Sequence, residues 1–300
     1  MLLNAFIDQG IKALEPLYPT PEARQMILML CEETLGIKNY THIVNPDYEI
    51  SKANSEMLLA KLEDLSRGMP LQYALGYADF CGLRFRVTPA VLIPRPETEL
   101  LVRDALQHAS RIKRMREAYG KGAEPVRVLD LCTGSGCIAW SVALNLPGAV
   151  VVGTDISEDA LEVARTQDFA AELKSRQAAA PTFVKSDVLD TEQEFPYGPF
   201  DIILSNPPYI LPSEKVQMRV NVLGYEPEGA LFVPQEDPML YYRAIAKWSE
   251  RFLNPEGKAL TEINAQLADE TKEVFRSAGF SGTEVLKDYF YKNRFVLYYK

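Results

Sequence analysis

Residues 200–209 read Phe-Asp-Ile-Ile-Leu-Ser-Asn-Pro-Pro-Tyr, an apolar run that ends in a polar, proline-rich turn. The apolar part, Phe200–Ser205, predicts a buried strand of a parallel sheet. Ligands of open α/β sheets bind beyond the carboxyl ends of the strands. The sequence therefore predicts a ligand site at the turn that follows this strand, Asn206–Tyr209.

Each residue of this turn has a chemical use at such a site. The carboxamide of Asn206 can pair with a planar amide group of a substrate. Pro207 and Pro208 have no N–H, which stiffens the backbone and leaves carbonyl oxygens free to accept from a substrate NH₂. The Tyr209 ring can cover a flat group, and two acceptors on one NH₂ would aim its lone pair at an electrophile. A simple proline-rich turn after a strand is the alternative interpretation.

The composition is that of a folded protein with a large core. The chain has 300 residues, of which 47% are hydrophobic, so one large or two unequal domains are expected. Its 32 Lys and Arg residues against 41 Asp and Glu residues give a net charge of -9. This balance argues against broad binding to nucleic-acid phosphates and favours a protein partner.

The cysteines and histidines do not form the pattern of a metal site. Four scattered cysteines without a C-x-x-C pair, together with only two histidines, argue against a Cys/His zinc site, so no metal is expected. Free thiols suit the reducing cytosol. The first ten residues lack the basic segment of a secretory signal, and no apolar run approaches the ~20 residues that a membrane span needs. We expect a soluble, cytoplasmic protein without a membrane partner.

Periodicity divides the chain into three parts. Residues 1–71 predict a small helical domain, because apolar residues recur at helical spacing, and its expected role is docking the partner. A cap that only adds stability is the alternative. Residues 72–88 predict a β-hairpin connector. Residues 89–300 alternate strands and helices, which predicts an α/β, Rossmann-like fold: a doubly wound sheet with an antiparallel last strand.

A glycine-rich loop follows the first strand of this sheet. Val126–Leu131 predicts the strand, and residues 132–136, Cys-Thr-Gly-Ser-Gly, let the backbone approach a ligand at the start of the next helix. Asp155 ends the second strand, where a carboxylate commonly accepts hydrogen bonds from ribose hydroxyls. Asp187 follows the third strand and suits an adenine amino group.

The same loop also satisfies the looser dinucleotide fingerprint, Gly134-x-Gly136-x-x-Ala139, so a nicotinamide enzyme is the competing interpretation. Three features count against it. Asp130 precedes the glycines, where a methionine amino group rather than a pyrophosphate would require an anion. The carboxylate after the third strand suits adenine, and the turn at Asn206–Tyr209 has no evident role in hydride transfer.

Two further segments are predicted to line the cleft. Arg95 stands between two prolines, which hold it in a rigid loop that forms one wall. Glu226 lies within residues 211–228, a stretch without periodicity that predicts a long, mobile loop. Between the helix that follows Arg95 and the first strand of the sheet, residues 111–122 are charged and predict a solvated linker.

Several segments match one known family in order. They are residues 70–73 (Pro-Leu-Gln-Tyr), Gly76, Phe80, residues 92–99 (Leu-Ile-Pro-Arg-Pro-Glu-Thr-Glu), the glycine loop and residues 205–210 (Ser-Asn-Pro-Pro-Tyr-Ile). The chain resembles, over nearly its whole length, the HemK/PrmC family of S-adenosylmethionine-dependent protein-(glutamine-N5) methyltransferases, which act on peptide chain release factors. The Asn-Pro-Pro-Tyr turn alone is shared with adenine-N6 methyltransferases of DNA and RNA. The specificity of the resemblance therefore comes from the combination of segments.

The resemblance implies methyl transfer from S-adenosylmethionine, with S-adenosylhomocysteine as product, to a glutamine of a release factor in translation termination. It implies that Asn206 and the Pro207 carbonyl bind the target amide and that Tyr209 packs against it. The residues expected to hold the cofactor are Asp130, Cys132, Thr133, Gly134, Ser135, Gly136, Asp155, Ile156, Asp187, Val188 and Asn206. An adenine methyltransferase and a scaffold that binds the cofactor without transfer are the alternatives, and both are weaker.

Two positions depart from the family's pattern. The glycine loop usually begins with Gly where this chain has Cys132, which predicts a less close approach of the first turn to the cofactor. The pattern Asp-x-x-Gly-x-x-Arg runs here from Asp288 to Arg294 with Tyr291 at the Gly position. This second change is predicted to alter only a turn away from the pocket.

Overall fold

The strand that ends at Ser205 is the central strand of a seven-stranded sheet in the computed structural model, which describes residues 1–122 and 124–300. A separate hairpin adds two strands. The strands are β1 (Tyr77–Phe80), β2 (Leu83–Arg86), β3 (Arg127–Leu131), β4 (Val150–Asp155), β5 (Thr182–Lys185), β6 (Phe200–Ser205), β7 (Leu253–Glu262), β8 (Gly282–Lys287) and β9 (Asn293–Tyr299).

The large sheet has the order β5-β4-β3-β6-β7-β9-β8. Strands β3 to β7 run parallel to one another, and β9 runs antiparallel to both β7 and β8. The register pairs Leu131 with Ser205 and with Thr154, so β3, β4 and β6 end at the same edge of the sheet. This topology confirms the predicted doubly wound sheet with an antiparallel last strand.

The antiparallel strand β9 lies inside the sheet, between β7 and β8, and not at its edge. Phe295, Val296, Leu297 and Tyr298 of β9 are all buried, whereas β8 leaves polar side chains exposed. An edge strand with charged residues resists pairing with other chains. The more apolar strand therefore occupies the inner position.

Helices cover both faces of the sheet. The helices of the described chain are α1 (Leu3–Leu14), α2 (Thr20–Leu35), α3 (Thr41–Val44), α4 (Lys52–Ser66), α5 (Leu71–Leu75), α6 (Glu99–Ala118), α7 (Cys137–Asn145), α8 (Glu158–Arg165), α9 (Ala170–Arg176), α10 (Val220–Leu223), α11 (Glu228–Leu231), α12 (Leu240–Phe252) and α13 (Ala268–Ser277). Helices α6 and α7 pack on one face, and α12 and α13 pack on the other. Within the described chain, no helix is both long and apolar enough to cross a membrane.

The central strand β6 contributes to the cores on both faces. Ile202 and Leu204 point into the core beneath α6 and α7, while Ile203 between them points into the core beneath α12 and α13. Successive side chains of a strand alternate between faces, so a strand covered on both sides must be apolar at nearly every position. This is why three consecutive apolar residues, Ile202–Leu204, lie at the centre of the strand.

The chain divides into two compact units. One consists of Met1–Tyr77 together with Met218–Tyr225, and the other consists of Ala78–Gln217 together with Glu226–Lys300. The three-part division of the sequence stays a prediction, and it does not anticipate that a later segment joins the N-terminal unit.

The N-terminal unit has its own core, formed mainly by apolar residues of α1, α2 and α4. Its second chain segment is fastened by polar contacts. Arg219 forms an ion pair of 2.7 Å with Glu22, and the Tyr225 hydroxyl donates to the carbonyl oxygen of Arg67 at 3.0 Å. Both contacts join the 218–225 segment to helices or helix ends of the first 77 residues.

The prediction of a solvated linker over residues 111–122 is wrong for its first part. Helix α6 continues to Ala118, and its last turn carries Arg116 to the buried carboxylate of Asp201 at 2.7 Å. A buried charge is costly unless it is paired. The partner of Arg116 lies 85 residues away in the chain, so local sequence gives no sign of the longer helix.

Residues 211–228, predicted as one long loop, contain more regular structure than expected. It contains a 3₁₀ turn at Pro212–Gln217, helix α10, and the start of α11. Each of these segments has at most six residues, which is too short to produce a recognisable hydrophobic period.

Candidate active site

A cavity of about 350 Å³ lies at the edge of the sheet where β3, β4 and β6 end. This size falls within the range of about 300–1,000 Å³ that is usual for small-molecule sites. Its wall includes residues 132–135, Asp155–Ser157, Ser186–Leu189, Asn206 and Pro208. Polar groups from four strand ends therefore meet in one place.

The cavity brings together most of the residues predicted for the site. Cys132, Thr133, Gly134, Ser135, Asp155, Ile156, Asp187, Val188, Asn206, Pro208 and Arg95 line it. Among the described residues, five predicted ones do not line it: Asp130, Gly136, Pro207, Tyr209 and Glu226. The five lie close by in the sequence or the fold.

The glycine loop turns by means of three residues with positive φ. Cys132 has φ +61°, Gly134 has φ +54° and Gly136 has φ +77°. A Cβ on Gly136 would lie 2.9 Å from the Phe183 ring and 3.0 Å from the Ala164 methyl group. Position 136 therefore requires glycine because only a residue without a side chain fits there, and not because it faces the ligand.

Cys132 occupies the same left-handed conformation without being a glycine. Non-glycine residues pay roughly 1–2 kcal/mol for this conformation. The thiol lies at the cavity wall, and burial raises the pKa of Cys132, so the sulfur is a neutral, weakly polar group. The expected effect of this residue on the distance between loop and cofactor stays a prediction.

Asp155 links the first two strand ends. Its Oδ2 accepts from the backbone N–H of Gly134 at 2.9 Å, and its Oδ1 accepts from the N–H of Ser157 at 3.0 Å. Burial raises the pKa of Asp155, while these N–H donors lower it. Each carboxylate oxygen keeps a second lone pair, which can accept from a ligand hydroxyl.

Asp130 supports the loop from inside the protein. It is fully buried, and its Oδ2 accepts from the Thr133 hydroxyl at 2.6 Å and from the Ala139 N–H at 3.1 Å. Burial raises the pKa of Asp130 to about 7. Its Oδ1 has no hydrogen-bond partner in the described part of the chain. These contacts favour a role in holding the loop, and a direct contact with a ligand amino group stays a prediction.

Asp187 and Val188 form the wall after β5. The Oδ1 of Asp187 accepts from the Leu189 N–H at 2.9 Å, which leaves the other carboxylate oxygen available. The carbonyl oxygen of Val188 accepts from the buried Trp248 indole at 2.9 Å, so its backbone is fixed from the core side. The apolar side chain of Val188 and the neighbouring carboxylate suit a flat ring that carries an amino group.

Arg95 reaches the cavity because Glu226 holds it. The Arg95 guanidinium lies 2.6 Å from Glu226, whose side chain is 1% exposed. The other oxygen of Glu226 accepts from the Ile93 N–H at 3.0 Å. Glu226 thus fixes the loop that carries Arg95 instead of lining the cleft itself.

The turn at 206–209 is connected to a buried carboxylate that the sequence analysis does not single out. The Asn206 Nδ2 donates to the Thr98 hydroxyl at 3.3 Å, and this hydroxyl donates to Glu262 at 2.7 Å. The Tyr209 hydroxyl donates to the second oxygen of Glu262 at 3.0 Å. Asn264 donates to the Tyr209 carbonyl oxygen at 3.3 Å.

Glu262 and Asn264 carry the same signal that identifies Asp155. Both follow or end an apolar strand, β7, at the edge of the sheet where the ligand site lies. Thr98 has no such signal, because it lies in a 3₁₀ turn and its partner is 164 residues away.

Comparison with known proteins identifies the family. A family model described as a methyltransferase domain matches residues 123–292. The chain is 38% identical over 294 residues to the release factor glutamine methyltransferase of Bacteroides thetaiotaomicron, with 98% of each chain covered. It is 34% identical over 299 residues to the protein of the same name from Flavobacterium psychrophilum, with 99% of this chain and 98% of that one covered. The chain belongs to the release factor glutamine methyltransferase family. A third relative of that name, from Chlorobaculum tepidum, is 35% identical over 269 residues, or 89% of this chain and 87% of that one.

Membership of the release factor glutamine methyltransferases confirms the resemblance and the predicted enzyme class, an S-adenosylmethionine-dependent methyltransferase. The nicotinamide interpretation of the glycine loop is set aside with it. The cavity fits this cofactor in its donor set. It offers a carboxylate for hydroxyls at Asp155, a carboxylate beside an apolar wall at Asp187 and Val188, and a loop that places Gly134 at the wall.

Proposed function

We propose that this protein methylates the side-chain nitrogen of a glutamine in a peptide chain release factor and that Asn206 holds the target amide. The observation that carries the proposal is the position of Asn206. Its carboxamide lies in the wall of the same cavity as the glycine loop and Asp155. This position supports a role for Asn206 in holding the substrate beside the groups that suit the cofactor.

Three parts of the wall would hold S-adenosylmethionine. Asp155 would accept from the ribose hydroxyls, Asp187 would accept from the adenine amino group, and residues 132–135 would contact the methionine part. When bound, S-adenosylmethionine supplies an electrophilic methyl group on a sulfonium. The buried Asp130 would keep the loop in place through its bonds to Thr133 and Ala139.

The chain's task is to position a weak nucleophile. An amide nitrogen reacts poorly because its lone pair is delocalised into the carbonyl group. The Oδ1 of Asn206 and the carbonyl oxygen of Pro207 would each accept a hydrogen bond from one N–H of the glutamine amide. These two bonds would fix the direction of the nitrogen lone pair. Such contacts accelerate the reaction to the extent that they are stronger in the transition state than in the ground state.

Tyr209 and Arg95 would complete the substrate site. The Tyr209 ring follows Pro208, with its hydroxyl fixed by Glu262, and would limit the space around the amide. Arg95 contributes a positive charge to the cavity wall, held by Glu226, and would meet a carbonyl or carboxylate of the substrate peptide. Pro208 also lines the cavity.

The partner follows from the proposed reaction. The relatives from Bacteroides thetaiotaomicron and Flavobacterium psychrophilum are both named as methyltransferases of a release factor. The net charge of -9 supports a protein partner over the phosphates of a nucleic acid. A cytoplasmic location would follow, because translation terminates there.

Transfer of labelled methyl groups tests the proposal. The protein would be incubated with methyl-labelled S-adenosylmethionine and either release factors or unmethylated DNA and RNA. We expect label on a release-factor glutamine, reduced at least about 100-fold by Asn206→Ala, since one positioned hydrogen bond can contribute that much. Asn145→Ala, at the far end of α7, is the matched control and should retain transfer.

Two results would contradict the proposal. Label on nucleic acid alone would assign the chemistry to an adenine methyltransferase. Near-normal transfer by Asn206→Ala would remove the amide-holding role of this residue.

A further inference from the structure

The buried carboxylate of Glu262 connects both ends of the turn at 206–209. Glu262 is the last residue of β7 and is 1% exposed. Its Oε2 accepts from the Thr98 hydroxyl at 2.7 Å, and its Oε1 accepts from the Tyr209 hydroxyl at 3.0 Å. Thr98 in turn accepts from the Nδ2 of Asn206 at 3.3 Å. One carboxylate therefore reaches Asn206 through a hydroxyl and Tyr209 directly.

The direction of these hydrogen bonds is determined by Glu262. An ionised carboxylate has no proton to donate, so the proton of the Thr98 hydroxyl must point to it. The Thr98 oxygen is then left as an acceptor, and only the NH₂ group of Asn206 can satisfy it. If the carboxamide were turned by 180°, its oxygen would face another oxygen without a proton between them, which costs a hydrogen bond.

Glu262 is buried, but two hydrogen-bond donors and a cation face its carboxylate. Burial is the largest effect and raises the pKa of Glu262, as does the charge of Glu97, while the hydrogen bonds from Thr98 and Tyr209 and the charge of Arg294 lower it. Arg294 is itself paired with the buried Asp288 at 3.0 Å. The carboxylate is thus surrounded by two donors and a nearby cation, which is the environment that a buried charge requires.

We infer that Glu262 and Thr98 are positioning residues that fix the Asn206 carboxamide with its oxygen towards the substrate. This inference rests on the proposed function, in which that oxygen accepts from the glutamine NH₂. The geometry assigns a purpose to the direction of two hydrogen bonds in series, from Asn206 to Thr98 and from Thr98 to Glu262. Without the series, the carboxamide can rotate and present its NH₂ to the NH₂ of the substrate, two donors facing each other.

The second contact of Glu262 fixes the other end of the turn. Tyr209 donates its hydroxyl proton to Oε1, and burial raises the pKa of Tyr209, so this proton is retained. Because both contacts converge on one rigid side chain, the distance between Asn206 and the Tyr209 ring is set by β7 and not by the turn alone. Glu262 itself does not line the cavity. Its removal should therefore lower kcat through Asn206 and Tyr209 and not through a lost contact with substrate or cofactor.

Thr98→Val and Thr98→Ser test the inference as a pair. Valine has the shape of threonine without the hydroxyl, and serine restores the hydroxyl. For methylation of a release factor by the full-length protein, we expect Thr98→Val to lower kcat about 10- to 100-fold. Thr98→Ser should restore most of kcat. Thr98 also lines the cavity, so the Kd for S-adenosylmethionine is measured by calorimetry and should change less than about threefold in both.

Glu262→Gln provides a second, independent variant. A glutamine can donate its own N–H to the Thr98 oxygen, which frees the Thr98 proton for the oxygen of Asn206 and turns the carboxamide the wrong way. We expect kcat to fall at least as far as in Thr98→Val. Circular dichroism and the Kd for S-adenosylmethionine establish that the variant is folded.

A double variant separates this inference from the proposed function. If the hydroxyl acts through Asn206, then Thr98→Val should cause little further loss in the Asn206→Ala protein, because coupled residues are not additive. Full activity of Asn206→Ala would contradict the proposed function. With Asn206→Ala impaired, equal kcat of Thr98→Val and Thr98→Ser, or an undiminished loss in the double variant, would overturn the positioning role alone.

Discussion

The carboxylate of Glu226 lies 2.6 Å from the guanidinium of Arg95, although 131 residues separate them in the chain. Glu226 also accepts from the N–H of Ile93, so it fixes both the side chain and the backbone of the loop that forms one wall of the cavity. A pair with one buried and one partly exposed partner is worth more than a surface pair, because water screens it less. The wall of the site therefore depends on a residue that does not line it.

Removal of this carboxylate should destabilise the protein measurably. We expect Glu226→Ala to lower the free energy of unfolding by about 1–3 kcal/mol, because it leaves the Ile93 N–H without its acceptor and Arg95 without its partner. Glu228→Ala is the matched control. It breaks the exposed pair with Lys215 and should cost no more than about 1 kcal/mol. Urea unfolding of both variants would give the comparison, and equal losses would contradict the structural role of Glu226.

The parts of the site that the sequence predicts are those that depend on strand order alone. Asp155 and Asn206 each follow an apolar strand, and parallel strands deliver their carboxyl ends to one edge, so their meeting in one cavity follows from the pattern. The roles assigned to Asp130 and Glu226 depend on which way a side chain turns after the backbone is placed. That direction is decided by packing and by partners far away in the chain, and the pattern does not contain it.

The two departures from the family pattern share one backbone feature. Cys132 has φ +61° and Tyr291 has φ +60°, so in both places a residue with a side chain adopts a conformation that favours glycine. The sequence shows only that a glycine is missing. The structure shows that the turn keeps its glycine-like shape and that the chain bears the strain. Tyr291 also lies in the sequence between Asp288 and Arg294, which form an ion pair. The guanidinium of Arg294 is the positive charge near Glu262.

Glycine at position 291 should therefore stabilise the protein. The Tyr291 side chain is 84% exposed, so its removal loses little buried surface. We expect Tyr291→Gly to raise the free energy of unfolding by about 0.5–1 kcal/mol, the strain of the left-handed conformation less the greater flexibility of glycine in the unfolded chain. Tyr291→Ala is the control, since it removes the ring and keeps the strain. If the alanine variant gained as much as the glycine variant in urea unfolding, relief of strain would not be the cause.

Gly136 and Gly134 allow a comparison within one loop. Both have positive φ, but a Cβ on Gly136 would lie 2.9 Å from the Phe183 ring, whereas a Cβ on Gly134 would have nothing within 4 Å. Gly134→Ala should cost roughly 1–2 kcal/mol from backbone strain alone. Gly136→Ala should cost this amount and about 1–3 kcal/mol more, because the core must move to accept the methyl group. Thermal or urea unfolding without cofactor would measure both, and equal costs would show that Phe183 yields freely.

His108 should make the stability of the protein depend on pH below neutrality. Both ring nitrogens are buried and have no hydrogen-bond partner within the described chain. Burial, with the charges of Lys258 and Arg111, lowers the pKa of His108 from 6.5 to about 4, against a smaller opposing effect of Asp201. The imidazole of the folded protein therefore stays neutral at a pH at which the unfolded chain takes up a proton.

The sign of the effect follows from this difference. Well above pH 6.5, His108 is neutral in both the folded and the unfolded state and contributes no pH dependence. Between pH 6.5 and about 4 the unfolded state binds more protons, so the free energy of unfolding decreases as the pH is lowered. At pH 5 we expect a loss of about 1–2 kcal/mol, after allowance for the partial exposure of the residue. His108→Leu introduces an apolar side chain of similar size that cannot be protonated. Urea unfolding at pH 7.5 and pH 5 should show the smaller loss in the variant, and an identical loss in both proteins would assign the pH dependence to other groups.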